Sequence, residues 1–192
     1  MEEGYTAGAV RERLIIAGIR ELETHGLNDF SLRRVAVASE VSCAAPYRHF
    51  RDKEELILEI IRYINRQWTL LQEQILAVFP SDDTRALCEL GVAHIRFWIA
   101  NPNFRSVLLL DTDAKEEDPR LFERRKISEG LTSLIRAYCQ RRGDSAATEA
   151  EKSYAFLALI YGTVLMLGNR ELANDDATIS MIRTRLSDIL TA

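Results

Sequence analysis

The sequence predicts an all-α protein: a three-helix helix-turn-helix domain at the N-terminus, then a helical bundle, about nine helices in total. Apolar residues recur at helical spacing along nearly the whole chain, with no run of strand alternation. Start and stop signals punctuate those stripes, among them Ser31, Asp52, Asp118-Pro119 and Gly26. Residues 31–56 read as two short helices joined by a tight turn, with a third helix following at once.

Residues 1–9 are expected to form a flexible tail. From Val10, the residues Leu14, Ile15, Gly18, Ile19 and Leu22 share one helical face, and Gly26 supplies a left-handed stop. Ser31 is the expected cap of a helix to about Ala38, with Leu32, Val35 and Ala36 inward. Ser39-Glu40-Val41 makes the turn, with Val41 as its buried plug. Ser42 is expected to cap a second helix from Cys43 to about Phe50, with Pro46 tolerated near its start. Asp52 and Glu55 form a capping box that opens a long helix to about Phe79-Pro80. Its inner stripe runs Leu56, Ile60, Tyr63, Ile64, Trp68, Leu71, Ile75. Further helices are predicted from Asp82 or Asp83 to Asn101-Pro102 and from Asn103 to about Leu110. Three more run from Pro119 to Arg142-Gly143, from Ala146 to about Arg170, and from about Ala177 to Leu190. The domains expected are 1–9 (tail), 10–55 (helix-turn-helix) and 56–192 (bundle).

The chain's 192 residues, 47% of them hydrophobic and 28% charged, suffice to bury a core in an ordinary globular protein. The acidic, glycine-bearing start lacks the basic-then-apolar order of a secretory leader. The longest apolar run, Ala155 to Leu167, falls short of the roughly 20 residues of a membrane span, so a buried helix and no membrane partner are expected. Cys43, Cys88 and Cys139 are far apart and make no metal-ligand spacing, which fits a reducing, cytoplasmic setting with no metal. The net charge of −4 argues against a nonspecific nucleic-acid coat. Yet residues 31–53 carry Arg33, Arg34, Arg48, Arg51 and Lys53 against only Glu40 and Asp52, and local positive charge is what phosphate contact requires.

A basic helix-turn-helix with a small front and a polar end suits a DNA duplex. The residues that carry it, Ser31-Leu32-Arg33-Arg34-Val35-Ala36, Val41-Ser42, Tyr47-Arg48-His49-Phe50 and Asp52-Lys53-Glu54-Glu55-Leu56, resemble the TetR family of bacterial transcriptional regulators. The resemblance covers about residues 10–60; beyond them it rests on helix number and length. It implies that Ser31, Lys53, Tyr47 and His49 meet the phosphate backbone, and that Ser42, Cys43, Ala44, Ala45 and Arg48 face base edges. Arg33 and Arg34 are further DNA-contact candidates. Arg48 suits guanine, because its fork matches O6 and N7. Two positions depart from the family pattern. Glu40 stands where glycine is usual, and Pro46 replaces a larger apolar residue.

The resemblance also implies a ligand cavity in the bundle. Its expected lining is Trp68, His94, Trp98, Phe104, Phe122, Leu131, Tyr161 and Leu165, a set whose aromatic walls suit a small apolar or aromatic ligand. The last two helices are too apolar for one buried face each. A two-fold homodimer is therefore expected through Tyr154, Ala155, Ala158, Gly162, Ile179, Ile182, Leu186 and Ile189. No nucleophile elbow, phosphate loop or paired acid–base set is present, so no catalytic residue, enzymatic activity or cofactor is expected. The favoured reading is a ligand-released repressor on a palindromic operator, in the form of double-stranded DNA. The alternative is a helical small-molecule-binding or scaffold protein whose reader has lost specific DNA binding.

Overall fold

The computed structural model describes residues 7–102 and 118–192. All regular structure among them is helical: α1 Ala7–His25, α2 Leu32–Ala38, α3 Pro46–His49, α4 Lys53–Val78, α5 Asp83–Ala100, α6 Pro119–Arg142, α7 Ala146–Gly168 and α8 Asp176–Thr191. The expected helix at 103–110 lies outside the described residues. The chain divides into two compact units, Met1–Arg66 with Pro102–Arg124, and Gln67–Asn101 with Arg125–Ala192. Helices α4 and α6 each contribute to both. The sequence places the boundary near residue 55; the N-terminal unit instead keeps the first half of α4.

The reason for that boundary is packing between α1 and α4. Leu14, Ile15, Ile19 and Leu22 are buried along α1, and Leu56, Ile57, Ile60, Ile61 and Ile64 along α4. A Cβ at Gly18 would sit 2.8 Å from Ile60 Cδ1, so glycine lets the two helices approach. Helix α1 starts three residues earlier than the sequence suggests. It ends as predicted, with Gly26 at φ 70° and its N–H on the Leu22 carbonyl at 2.9 Å.

The helix-turn-helix departs from expectation at its second helix. The predicted helix from Cys43 is a single turn starting at Pro46. Proline has no N–H, so the ladder bond from residue 46 to the Ser42 carbonyl cannot form. The Ala45 N–H takes that carbonyl instead, at 2.9 Å, in a turn. Ser42 therefore caps no helix, and Pro46 occupies the first helical position, which tolerates it. Val41 is only half-buried; Pro46 and Phe50 fill the interior.

Glu40 takes the left-handed conformation at φ 55°, at the turn position where glycine is usual in the resembled family. Its carboxylate lies 3.5 Å from Arg13, whose guanidinium also donates to the Ser39 carbonyl. That carboxylate is exposed, so the pair is screened and worth at most about 1 kcal/mol. The left-handed backbone costs a non-glycine residue roughly 1–2 kcal/mol. Glu40→Gly is therefore expected to stabilise the protein by about 0.5–1 kcal/mol. Urea unfolding checks this; a lower midpoint would show that the pair outweighs the strain.

In the C-terminal unit, α5 packs on α7 and α8, which also pack on each other. The crossing is tight at Gly91, where a Cβ would meet Leu186 Cδ1 at 2.7 Å and Phe156 Cζ at 3.1 Å. Asp82, Ser145 and Asp175 cap α5, α7 and α8 by accepting N–H bonds from Arg85, Thr148 and Thr178. Helix α7 is the one described helix long and apolar enough to cross a membrane, a test that core helices also pass. It is not uniformly buried, as the sequence suggests. Phe156, Ile160, Thr163, Val164 and Leu167 face inward, while Tyr154, Ala158 and Leu165 are exposed.

Candidate nucleic-acid interface

The base of the interface is built by the helix starts. Ser31 caps α2, its hydroxyl accepting the Arg34 N–H. Asp52 accepts the Glu55 N–H at 2.9 Å, and Glu55 returns to accept the Arg51 N–H at 2.7 Å. This capping box sets Lys53 as the first residue of α4, where unpaired N–H groups and the helix dipole favour anions. An open groove of 580 Å³ runs past Asn28, Ser31, Arg33, Tyr47, Arg51 and Lys53. Tyr47 and Arg48 are exposed and His49 is half-buried beside Phe50. Ser42, Cys43 and Ala44 are exposed on the turn before α3 and Ala45 is half-buried, so the small front belongs to a turn rather than to a helix.

The two arginines of α2 have different surroundings. Among the described residues Arg33 has no hydrogen bond or ion pair, and it stays available to a phosphate. Arg34 is engaged. Its Nε donates to Glu21 Oε1 at 2.7 Å, and its guanidinium also reaches the Asp29 carbonyl. Glu21 is only 8% exposed, and its hydrogen bond holds the Arg34 guanidinium protonated. Glu21 Oε1 also accepts the Ser31 N–H at 3.1 Å. Arg34 thus fixes the loop that presents Ser31, a positioning part beside the DNA contact the sequence suggests. Nothing in the local sequence marks Glu21 as its partner. They are 13 residues apart and meet only because α1 and α2 pack together.

Within the same unit a polar chain links α1, α4 and the first turns of α6. Arg11 and Arg62 both bind Glu59, Arg62 also binds Glu123 at 3.2 Å, and the Asn65 amide donates to the Glu123 carbonyl at 2.8 Å. Burial pushes the Glu59 carboxyl up, but the bonds from Arg11 and Arg62 outweigh it and hold it below the usual range.

The C-terminal unit holds a second site. His94 on α5 is fully buried, its ring 4.6 Å from that of Trp68 on α4, 5.9 Å from Trp98 and 5.8 Å from Tyr161 on α7. Phe97 packs against both tryptophans. It is absent from the sequence-based lining, although its place three residues after His94 signals it. Both His94 nitrogens and the Nε1 atoms of Trp68 and Trp98 are buried without a hydrogen-bond partner among the described residues. Burial lowers the His94 pKa to about 3, so the ring is neutral. Burial also raises the Tyr161 phenol. Leu131 is buried in α6, whereas Leu165 is 61% exposed. Phe122 is 59% exposed and belongs to the N-terminal unit. Phe104 lies outside the described residues.

Of the expected dimer residues, Ile179, Ile182 and Leu186 are buried within the protomer and Ile189 is half-buried. The stripe on α8 is consumed by packing inside the chain, so it is unavailable to a second copy. Tyr154 and Ala158 are exposed, Ala155 and Gly162 are half-buried, and a Cβ at Gly162 would meet nothing within 4 Å.

Comparison with known proteins agrees with the reader geometry. Residues 14–60 match the model of the bacterial regulatory proteins of the tetR family. The N-terminal segment is thus similar to the DNA-binding domain of TetR-family transcriptional regulators. Members of that family regulate transcription and are not enzymes. No curated protein matches the sequence. The TetR-like fold extends over the whole chain in solved structures. A TetR family transcription regulator from Marinobacter aquaeolei is 18% identical, with 94% of each chain covered and a TM-score of 0.72. The regulator PfmR from Thermus thermophilus is 23% identical, covering 94% of this chain and 98% of its own, with a TM-score of 0.66. FadR from Bacillus subtilis, solved with stearoyl-CoA, is 12% identical, covering 94% and 97%, with a TM-score of 0.73.

Proposed function

We propose that this chain is a cytoplasmic TetR-type repressor that binds a palindromic operator as a homodimer and leaves it when a small apolar or aromatic molecule enters the aromatic site. The observation that supports it most is one groove lined by the exposed Arg33 and Tyr47 and the half-buried Lys53, with the exposed Arg48 next to Tyr47 on α3 after a small-residue turn. Residues Ser31, Lys53, Tyr47 and His49 meet phosphates, while Arg48 with Ser42, Cys43, Ala44 and Ala45 faces bases.

The dimer reading rests on α7. Tyr154, Ala158, Tyr161 and Leu165 form one outward stripe at helical spacing, with 77%, 36% and 61% exposure for the three large side chains. Met181 on α8 adds 49%. Such a run calls for a partner surface, and Gly162 leaves room for it. Release would work through α4, whose residues 53–66 belong to the reader unit and 67–78 to the sensor unit. Reading helices in a dimer must lie about 34–36 Å apart to enter successive major grooves. A ligand that tilts α4 would spoil that spacing without damaging either reader, and DNA and ligand would then weaken each other by the same factor.

A gel shift of the protein on its own upstream DNA, with and without competitor, tests this reading. Lys53→Ala is expected to weaken all sequences alike and lower the salt slope by about one phosphate. Arg48→Ala is expected to cost about 1–3 kcal/mol at the specific site and relax choice at one base pair. Equal weakening of specific and random DNA by Arg48→Ala would remove its base-reading role. The one-turn α3 favours a second reading, a ligand-binding protein with an unspecific reader, which the same gel shift would reveal as no preference for any site.

A further inference from the structure

The aromatic site of the C-terminal unit has an unbalanced hydrogen-bonding inventory. An indole N–H only donates, and neutral imidazole supplies one donor and one acceptor. Trp68, Trp98 and His94 therefore offer more donors than acceptors, all buried and all without a partner among the described residues. An orphaned donor in such a place loses its hydration without compensation, and native interiors hold few. Here they gather around one ring, Trp68 from α4 and Trp98 from α5 itself, with the Tyr161 ring of α7 packed beside them.

We propose that this site selects uncharged apolar or aromatic molecules bearing a carbonyl-type acceptor, and rejects carboxylates. The proposal rests on the effector-site reading above and names the chemistry of that effector. A carbonyl oxygen has two lone pairs and no proton, which complements surplus donors. A plain hydrocarbon leaves the donors unpaired. A carboxylate accepts equally well but brings a charge into a dry site, at a cost of several kcal/mol unless a cation meets it. The buried cation among the described residues of this unit is Lys152, and Asp144 already holds it at 2.8 Å. Nor is His94 a ready counter-ion, since burial opposes its protonation.

The two tryptophans of the chain are Trp68 and Trp98, so intrinsic fluorescence reports on this site alone. The full-length protein is titrated at pH 7.5 with 2-undecanone, decanoate and decane, following tryptophan emission and heat. The ketone is expected to bind at least tenfold more tightly than either of the others. Trp68→Phe and Trp98→Phe keep an aromatic ring and delete one N–H each; read by calorimetry, at least one should cut the ketone's advantage over decane threefold or more. His94→Phe, if it folds, should do the same. Decanoate binding as tightly as the ketone, with or without uptake of a proton, would overturn the selectivity and leave the effector site standing. Decane matching the ketone would show that the donors select nothing. If no probe binds, the donors serve only water, and the effector-site reading falls together with the selectivity.

Discussion

Leu165→Glu is expected to convert a homodimer into a monomer and to abolish operator binding at concentrations where the native protein saturates. Leu165 is 61% exposed and continues the outward stripe of Tyr154, Ala158 and Tyr161 on α7. In the protomer it supports little, so the substitution should leave folding intact. At a two-fold helix pair the new carboxylate would meet its own copy in an apolar setting, where a buried unpaired charge costs several kcal/mol. About 1.4 kcal/mol is a factor of ten in an equilibrium constant, so dissociation should rise by orders of magnitude. A monomer contacts one half-site and loses the coupling of two. Sedimentation at micromolar concentration and a gel shift on the same sample check both halves. A Leu165→Glu protein that still sediments as the native species would place the interface elsewhere.

Acidification is expected to destabilise the protein well above the usual carboxylate range, through His94. Its pKa is about 3 in the folded chain, against 6.5 for the ordinary residue, because burial opposes the charge. Above pH 6.5 the ring is neutral in both states and contributes no slope. Below it the unfolded chain takes up a proton that the folded chain refuses, so stability falls as pH falls, until the folded pKa is reached. The slope is about 1.4 kcal/mol per pH unit, or roughly 2–3 kcal/mol between pH 7 and 4.5. The carboxylates held below their usual range, Asp52, Glu59, Asp118, Asp144 and Asp175, lose their contribution only at lower pH. The window from 6.5 to 5 therefore isolates His94. Urea unfolding across that window should show the slope in the native chain and its loss in His94→Leu. An unchanged slope in the variant would mean that His94 is not buried as a neutral ring.

The reader is legible because its signals are local. The Ser31 cap, the Asp52–Glu55 box, the Gly26 stop and the stripe Leu56-Ile60-Ile64 each act within a turn or two of the chain, and all recur in the structure. The left-handed turn at Glu40 is legible for the same reason. The shortened α3 is also a local matter, since the missing N–H of Pro46 is written in the sequence; in so short a helix that one lost bond decides where the helix begins.

What the sequence determined by itself is the helical class, the order and bounds of most helices, and a reader segment similar to that of the tetR family. Those follow from hydrogen bonds and side-chain periodicity between residues close along the chain. The tertiary structure decided which apolar face of each helix is spent inside the protomer. Ile179, Ile182 and Leu186 on α8 go to the core against α5, while Tyr154, Ala158 and Leu165 on α7 stay outside. Periodicity shows that a stripe exists and cannot say what covers it. The tertiary structure alone also joined Glu21 to Arg34, and brought Trp68 and Tyr161 to His94 from helices far apart in the sequence. Burial, ion pairing and orphaned donors are properties of that meeting, because each depends on how much water the neighbouring helices exclude.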